Sequence, residues 1–122
     1  MYKFIAADFG VVFIPRNQII ALQSPQCIDA DHVIIRYLRV RLGDESGNDY
    51  DAISSRYSKH IILDHVSASW SSDEVLSLYR NENITIQLCL ISEACAKFKN
   101  GENTGHRFGG IWGNNQSTYH HN

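Results

Sequence analysis

The chain has 122 residues, of which 43% are hydrophobic and 20% charged, and its formal net charge is −2. This composition is that of an ordinary globular chain and excludes a disordered tail or a low-complexity segment. No apolar run approaches the ~20 residues of a spanning helix, and the charge points away from nucleic acid and anionic membranes, which favour a basic patch.

The N-terminus, Met1-Tyr2-Lys3-Phe4-Ile5-Ala6-Ala7, is interrupted by Asp8 and does not read as an export signal, so either the chain is not exported as it stands or its true start lies upstream. Beyond the two early prolines, Pro15 and Pro25, short runs rich in Val, Ile, Thr and Tyr alternate with Gly-, Asn- and Ser-rich turns. This is a strand-rich pattern, and no long 3.6-residue stripe predicts a helix.

Three of the runs superimpose: Val33-Ile34-Ile35-Arg36-Tyr37-Leu38-Arg39-Val40, Ile61-Ile62-Leu63-Asp64-His65-Val66-Ser67-Ala68 and Ile84-Thr85-Ile86-Gln87-Leu88-Cys89-Leu90-Ile91. Each opens on two apolar residues two positions apart, then slips phase. A short strand, a one-residue bend and another short strand give this rhythm. A fourth copy starts at Ser117. A second repeat precedes the first: Asp51-Ala52-Ile53-Ser54 stands to Ile61 as Glu74-Val75-Leu76-Ser77 stands to Ile84, with Gly110-Ile111-Trp112-Gly113 before Ser117.

The period is irregular, on the order of 23 to 33 residues, as in parallel β-helix coils whose loops vary in length while the strands stack. The expected fold is all-β, a parallel β-helix of about four to five coils. Stacking at ~4.8 Å then aligns Arg36, Asp64, Gln87 and His120 in an outward ladder. That ladder is either a polar binding surface or a solvated face of weakly paired charges. Adjacent residues such as Asp64 and His65 are expected on opposite faces of their strand. By the same alternation, inward Leu76 and Leu78 put Asp73, Val75 and Ser77 outward. Three cysteines without metal-ligand spacing, Cys27, Cys89 and Cys95, read as free thiols.

The stretches 31–45, 60–74 and 83–93, followed by His106 to Trp112 and Tyr119-His120-His121-Asn122, resemble the pectate lyase family of polysaccharide lyases. The resemblance covers about residues 20–122 and leaves residues 1–20 unmatched, as a cap or a first coil. It implies a right-handed β-helix and a secreted or periplasmic enzyme that cleaves polygalacturonate (pectate) by β-elimination with the help of Ca2+. The expected unit is one partial β-helix domain over 1–122, monomeric, with an acidic polysaccharide as partner and neither nucleic acid nor membrane.

Residue by residue, the resemblance assigns calcium binding to Asp64 and Asp73, with Glu74 contributing from the turn. A further acidic position of the family pattern is Ser77 here, which thins the metal site. Arg107 stands beside the position of the family's substrate-binding Lys and is the candidate for a uronate carboxylate; the alternative is a solvated loop arginine. The family's catalytic Arg lies beyond the His-His-Asn motif, within which this sequence ends, so no residue is assigned as the base. The alternative function is a non-catalytic β-helix that binds acidic polysaccharide. His106, His120 and His121 read as mainly structural. Trp70, Trp112 and Tyr119 read as packing residues or as platforms for sugar rings.

Overall fold

The computed structural model describes residues 26–43 and 47–122, together with the backbone of three earlier strands. These strands are β1 (Lys3–Ile5), β2 (Gly10–Phe13) and β3 (Ile20–Ala21). Pro15, Pro25, Asp44, Glu45 and most of the N-terminal segment lie outside the described residues. The chain continues through β4 (Gln26–Ile28), β5 (Val33–Arg36), β6 (Arg39–Arg41), β7 (Ile53–Arg56), β8 (Lys59–Asp64) and β9 (Ser67–Ser69). It ends with β10 (Leu76–Gln87), β11 (Leu90–Ser92) and β12 (Gly110–His120). No helix among the described residues is long and apolar enough to cross a membrane.

Every pairing between the named strands is parallel, and the chain winds through three faces per turn as a right-handed parallel β-helix. The first face stacks β1, β4, β7 and the opening halves of β10 and β12. The second stacks β2, β5, β8 and the closing halves of β10 and β12. The third stacks β3, β6, β9 and β11. The two repeats are these faces. Val33, Ile61, Ile84 and Ser117 are in register, and so are Ile53, Leu76 and Gly110.

The phase slip has a backbone cause. The residue between the two apolar pairs is left-handed in each coil: Tyr37 (φ 57°), His65 (φ 54°), Leu88 (φ 53°) and His121 (φ 57°). One such residue reverses the alternation, so that both flanking strands face inward. Another left-handed ladder precedes the second face at His32, His60, Asn83 and Gln116. There the His32 and His60 rings stack with centroids 4.6 Å apart.

Val33, Ile35, Leu38 and Val40 are buried, as are their stacked partners Ile61, Leu63, Val66, Ala68, Ile84, Ile86 and Cys89. Each large aliphatic side chain in this column contributes roughly 1.5–3 kcal/mol by leaving water. Inside one corner the buried Asn81 joins three coils. Its Nδ2 donates to the Ser55 carbonyl (3.1 Å), its Oδ1 accepts from the Ser58 N–H (2.9 Å), and its N–H donates to Asn114 Oδ1 (3.1 Å). Asn122 does similar work at the next corner, accepting from the Cys89 N–H at 2.9 Å and donating to the Ile86 carbonyl at 3.2 Å. The three cysteines are free thiols, and burial raises the pKa of Cys89.

Candidate functional site

The turns that lead from the third face back to the first lie on one another in successive coils. Residues 47–52, 70–75 and 93–109 form three levels of this stack. The Ala52 N–H donates to the Glu74 carbonyl (3.2 Å), and the Val75 N–H donates to the Phe108 carbonyl (3.1 Å). The Asp73 N–H reaches the Tyr50 carbonyl at 3.1 Å, and Ser72 Oγ links the Asn48 carbonyl to the Tyr50 N–H. Backbone stacking therefore fixes which side chains meet.

Asp51 and Glu74 hold equivalent places, each two residues before a first-face strand. Asp51 Oδ1 accepts the Glu74 N–H at 3.1 Å. The carboxyls of Asp51, Glu74 and Asp73 are linked by hydrogen bonds in that order. Asp73, Glu74 and His106 each bring one ligand-type atom within 4.8 Å of the others. His106 Nδ1 lies 2.9 Å from Asp73 Oδ1, in ion-pair range but off the line of a hydrogen bond. That buried oxygen therefore has no aligned donor. The segment carrying His106 is pinned by the buried Thr104 hydroxyl, shared between the carbonyls of Cys95 and His106.

The electrostatics follow from this crowding. Burial, the bond to Glu74 and the charge of Glu74 push Asp73 up to about 6; His106 opposes them and Asp49 adds to them. Burial and the bond to Asp51 raise Glu74. Burial raises Asp51 as well, against the bond to Glu74 and the nearby charge of Arg56. Partly desolvated carboxyls in contact favour either shared protons or a bound cation. The donor set, mostly carboxylate oxygens with one lone acceptor atom, fits a hard divalent ion. Beside the group opens a cavity of about 450 Å3, bordered by Asp29, Asp49, Asp51, Asp73, Ser54 and Arg56.

The three acids singled out in the sequence are not brought together. Asp73 and Glu74 belong to this group, whereas Asp64 stands on the second face within the expected ladder, in register with Arg36 and Gln87. Arg36 Nε donates to Asp64 Oδ2 at 2.6 Å, and His65 Nδ1 lies 2.7 Å from Asp64 Oδ1. Burial alone would raise the Asp64 pKa, but the bonds from His65, Gln87 and Arg36 outweigh it and lower it.

Two expectations from strand alternation are corrected. Asp64 and His65 do meet, because His65 is left-handed and its side chain swings to the same side. Val75 is fully buried rather than outward, while Ser77, in register with Ser54 and Ile111 on either side, is covered at 3% exposure. Residues 70–75 form a turn, so the alternation of β10 does not extend upstream of Leu76.

Arg107 is exposed on the loop beside His106. Trp70 is 47% exposed and donates from Nε1 to Glu93 Oε2 at 3.0 Å, while Trp112 and Tyr119 stack on each other at 4.9 Å. His120 and His121 contact each other through their Nδ1 atoms at 2.7 Å. Asp51 was missed in the sequence, although its offset from Ile53 equals that of Glu74 from Leu76.

No protein-family profile matches the chain. Curated relatives do match. Proteins named probable pectate lyase C are 39% identical in Aspergillus flavus, 41% in Emericella nidulans and 41% in Aspergillus terreus, each over 66 residues. That stretch is 53% of this chain and 16% of each relative's length. The chain is thus a parallel β-helix that is similar, over about half its own length and a small part of theirs, to proteins named probable pectate lyase C.

Proposed function

We propose that the chain binds an acidic polysaccharide of the polygalacturonate (pectate) type, and that it belongs to a secreted, monomeric lyase acting by calcium-assisted β-elimination. The observation that carries this reading is the stacked carboxyl group of Asp51, Glu74 and Asp73 on a β-helix similar to pectate lyase C. In this reading Asp73 and Glu74 hold Ca2+, with Asp51 as a third acid and His106 orienting Asp73. Asp64 instead neutralises Arg36 and holds the second face together. Calcium, when bound, draws charge from a uronate carboxylate and acidifies the proton on the neighbouring carbon. The turn residues hold the sugar's acidic edge at the mouth of the cavity, and exposed Arg107 contacts a second carboxylate along the polymer.

A second reading, binding of the same polysaccharide without turnover, draws support from Ser77. It stands where the resembled pattern has an acid, is covered at 3% exposure, and offers no carboxylate to a cation. One experiment separates the two. The chain is incubated with polygalacturonate and calcium while the ultraviolet absorbance of the unsaturated product is followed, and calcium-dependent binding to the polymer is measured in parallel. Product formation supports the lyase, and binding without product supports the second reading. Absence of both from a folded sample refutes the proposal.

A further inference from the structure

We propose that Arg56 is the recognition cation for the carboxylate of a sugar unit seated in the cavity beside the stacked acids. The inference rests on the proposed binding of acidic polysaccharide and adds the residue that selects the acid. Arg56 closes β7, is exposed, and borders the cavity together with Asp29, Asp49, Asp51 and Asp73. Among the described residues it has neither a hydrogen bond nor an ion pair.

Three other arginines are engaged within the fold. Arg36 binds Asp64, Arg41 donates to Ser67 Oγ at 2.7 Å and to the Val40 carbonyl at 2.8 Å, and Arg80 donates to the Tyr57 hydroxyl at 2.9 Å. Exposed Arg39, at a second cavity beside Tyr37 and His65, also lacks such a bond, but the rim of that cavity carries no carboxylate, whereas Arg56 shares its rim with four aspartates.

The chemistry of the rim narrows the ligand. Four carboxylates facing one cation repel a bare anion such as phosphate, and a neutral sugar leaves the guanidinium without a partner. A uronate unit with a divalent cation satisfies both sides. The cation lies against the acids, while the sugar carboxylate accepts two parallel N–H bonds from Arg56. A volume of about 450 Å3 falls in the ~300–1,000 Å3 range of small-ligand pockets.

The test compares the unsubstituted chain with Arg56→Gln and Arg56→Lys. Calcium alone, trigalacturonate in calcium, and neutral galactotriose are titrated calorimetrically, and thermal unfolding reports folding. For Arg56→Gln the expected result is unchanged unfolding and calcium affinity, but about tenfold weaker trigalacturonate binding. Galactotriose binding stays the same, and Arg56→Lys recovers part of the loss, because it restores the charge without the fork. Unchanged trigalacturonate affinity in Arg56→Gln overturns the inference and leaves the proposed function standing. An equal loss for galactotriose also overturns it, because the contact would not then discriminate acid. If the unsubstituted chain fails to bind trigalacturonate, the proposed function falls and takes the inference with it.

Discussion

Asp64 and the Asp51–Glu74–Asp73 group are two acidic stations on neighbouring coils, and they are built in opposite ways. At Asp64 a buried carboxylate meets a guanidinium at 2.6 Å, with an imidazole at 2.7 Å, and its pKa is lowered. At the turn stack the carboxyls meet mainly one another, and each pKa is raised. The first station resolves its own charge and so serves the fold. The second leaves charge unresolved, which is the condition under which an external cation is favoured.

Removing Asp64 breaks this comparison most directly. Asp64→Ala leaves Arg36 without its counter-charge, and the loss is about 2–3 kcal/mol in urea unfolding. Calcium affinity of the remaining folded protein stays unchanged; its disappearance would show that the two stations act as one. Next in size, Glu74→Gln lowers calcium affinity by about tenfold or more in calorimetry, while stability without calcium at neutral pH holds or rises, since a repulsive neighbour is gone.

The pH profile separates the stations by sign. Asp73 is raised from 3.8 to about 6. Its contribution is therefore fully present below 3.8 and lost as the pH rises through about 6. Asp64 is lowered, so its contribution is present above 3.8 and lost as the pH falls through its depressed value. Thermal unfolding without calcium should accordingly peak on the acidic side of neutral, and Asp73→Asn should flatten the limb near 6. Calcium should raise the melting temperature above that pH and lose its effect below it, as protons displace the ion. The smallest effect concerns the bend that sets Asp64 beside His65. Leu88 occupies the same bend one coil on, left-handed and 47% exposed. Leu88→Gly relieves the strain at the expense of chain entropy, for a gain of about 0.5 kcal/mol in chemical denaturation.

The coil register was legible because the apolar pairs at Val33, Ile61 and Ile84 recur with one phase slip, and a left-handed residue produces that slip wherever it falls. The same device hid the contact between Asp64 and His65, since alternation holds only while the backbone stays extended. The acid stack was half legible. Asp73 and Glu74 stood out by resemblance, but Asp51 meets them through turn stacking that strand logic does not address. Its equal offset from the next strand was the available signal. His106 comes from a turn of a different length, so no spacing rule could bring it to Asp73.

The turns that carry these acids and His106 differ in length, 70–75 being far shorter than 93–109, while the strands they join remain in register. Chain can thus be inserted or removed at this edge without shifting a single core contact. Asp51, the Asp73–Glu74 pair and His106 thus sit on three separately replaceable segments. Under the proposed function, cation preference and polymer preference can therefore drift one turn at a time, by exchange of a loop instead of redesign of the coil.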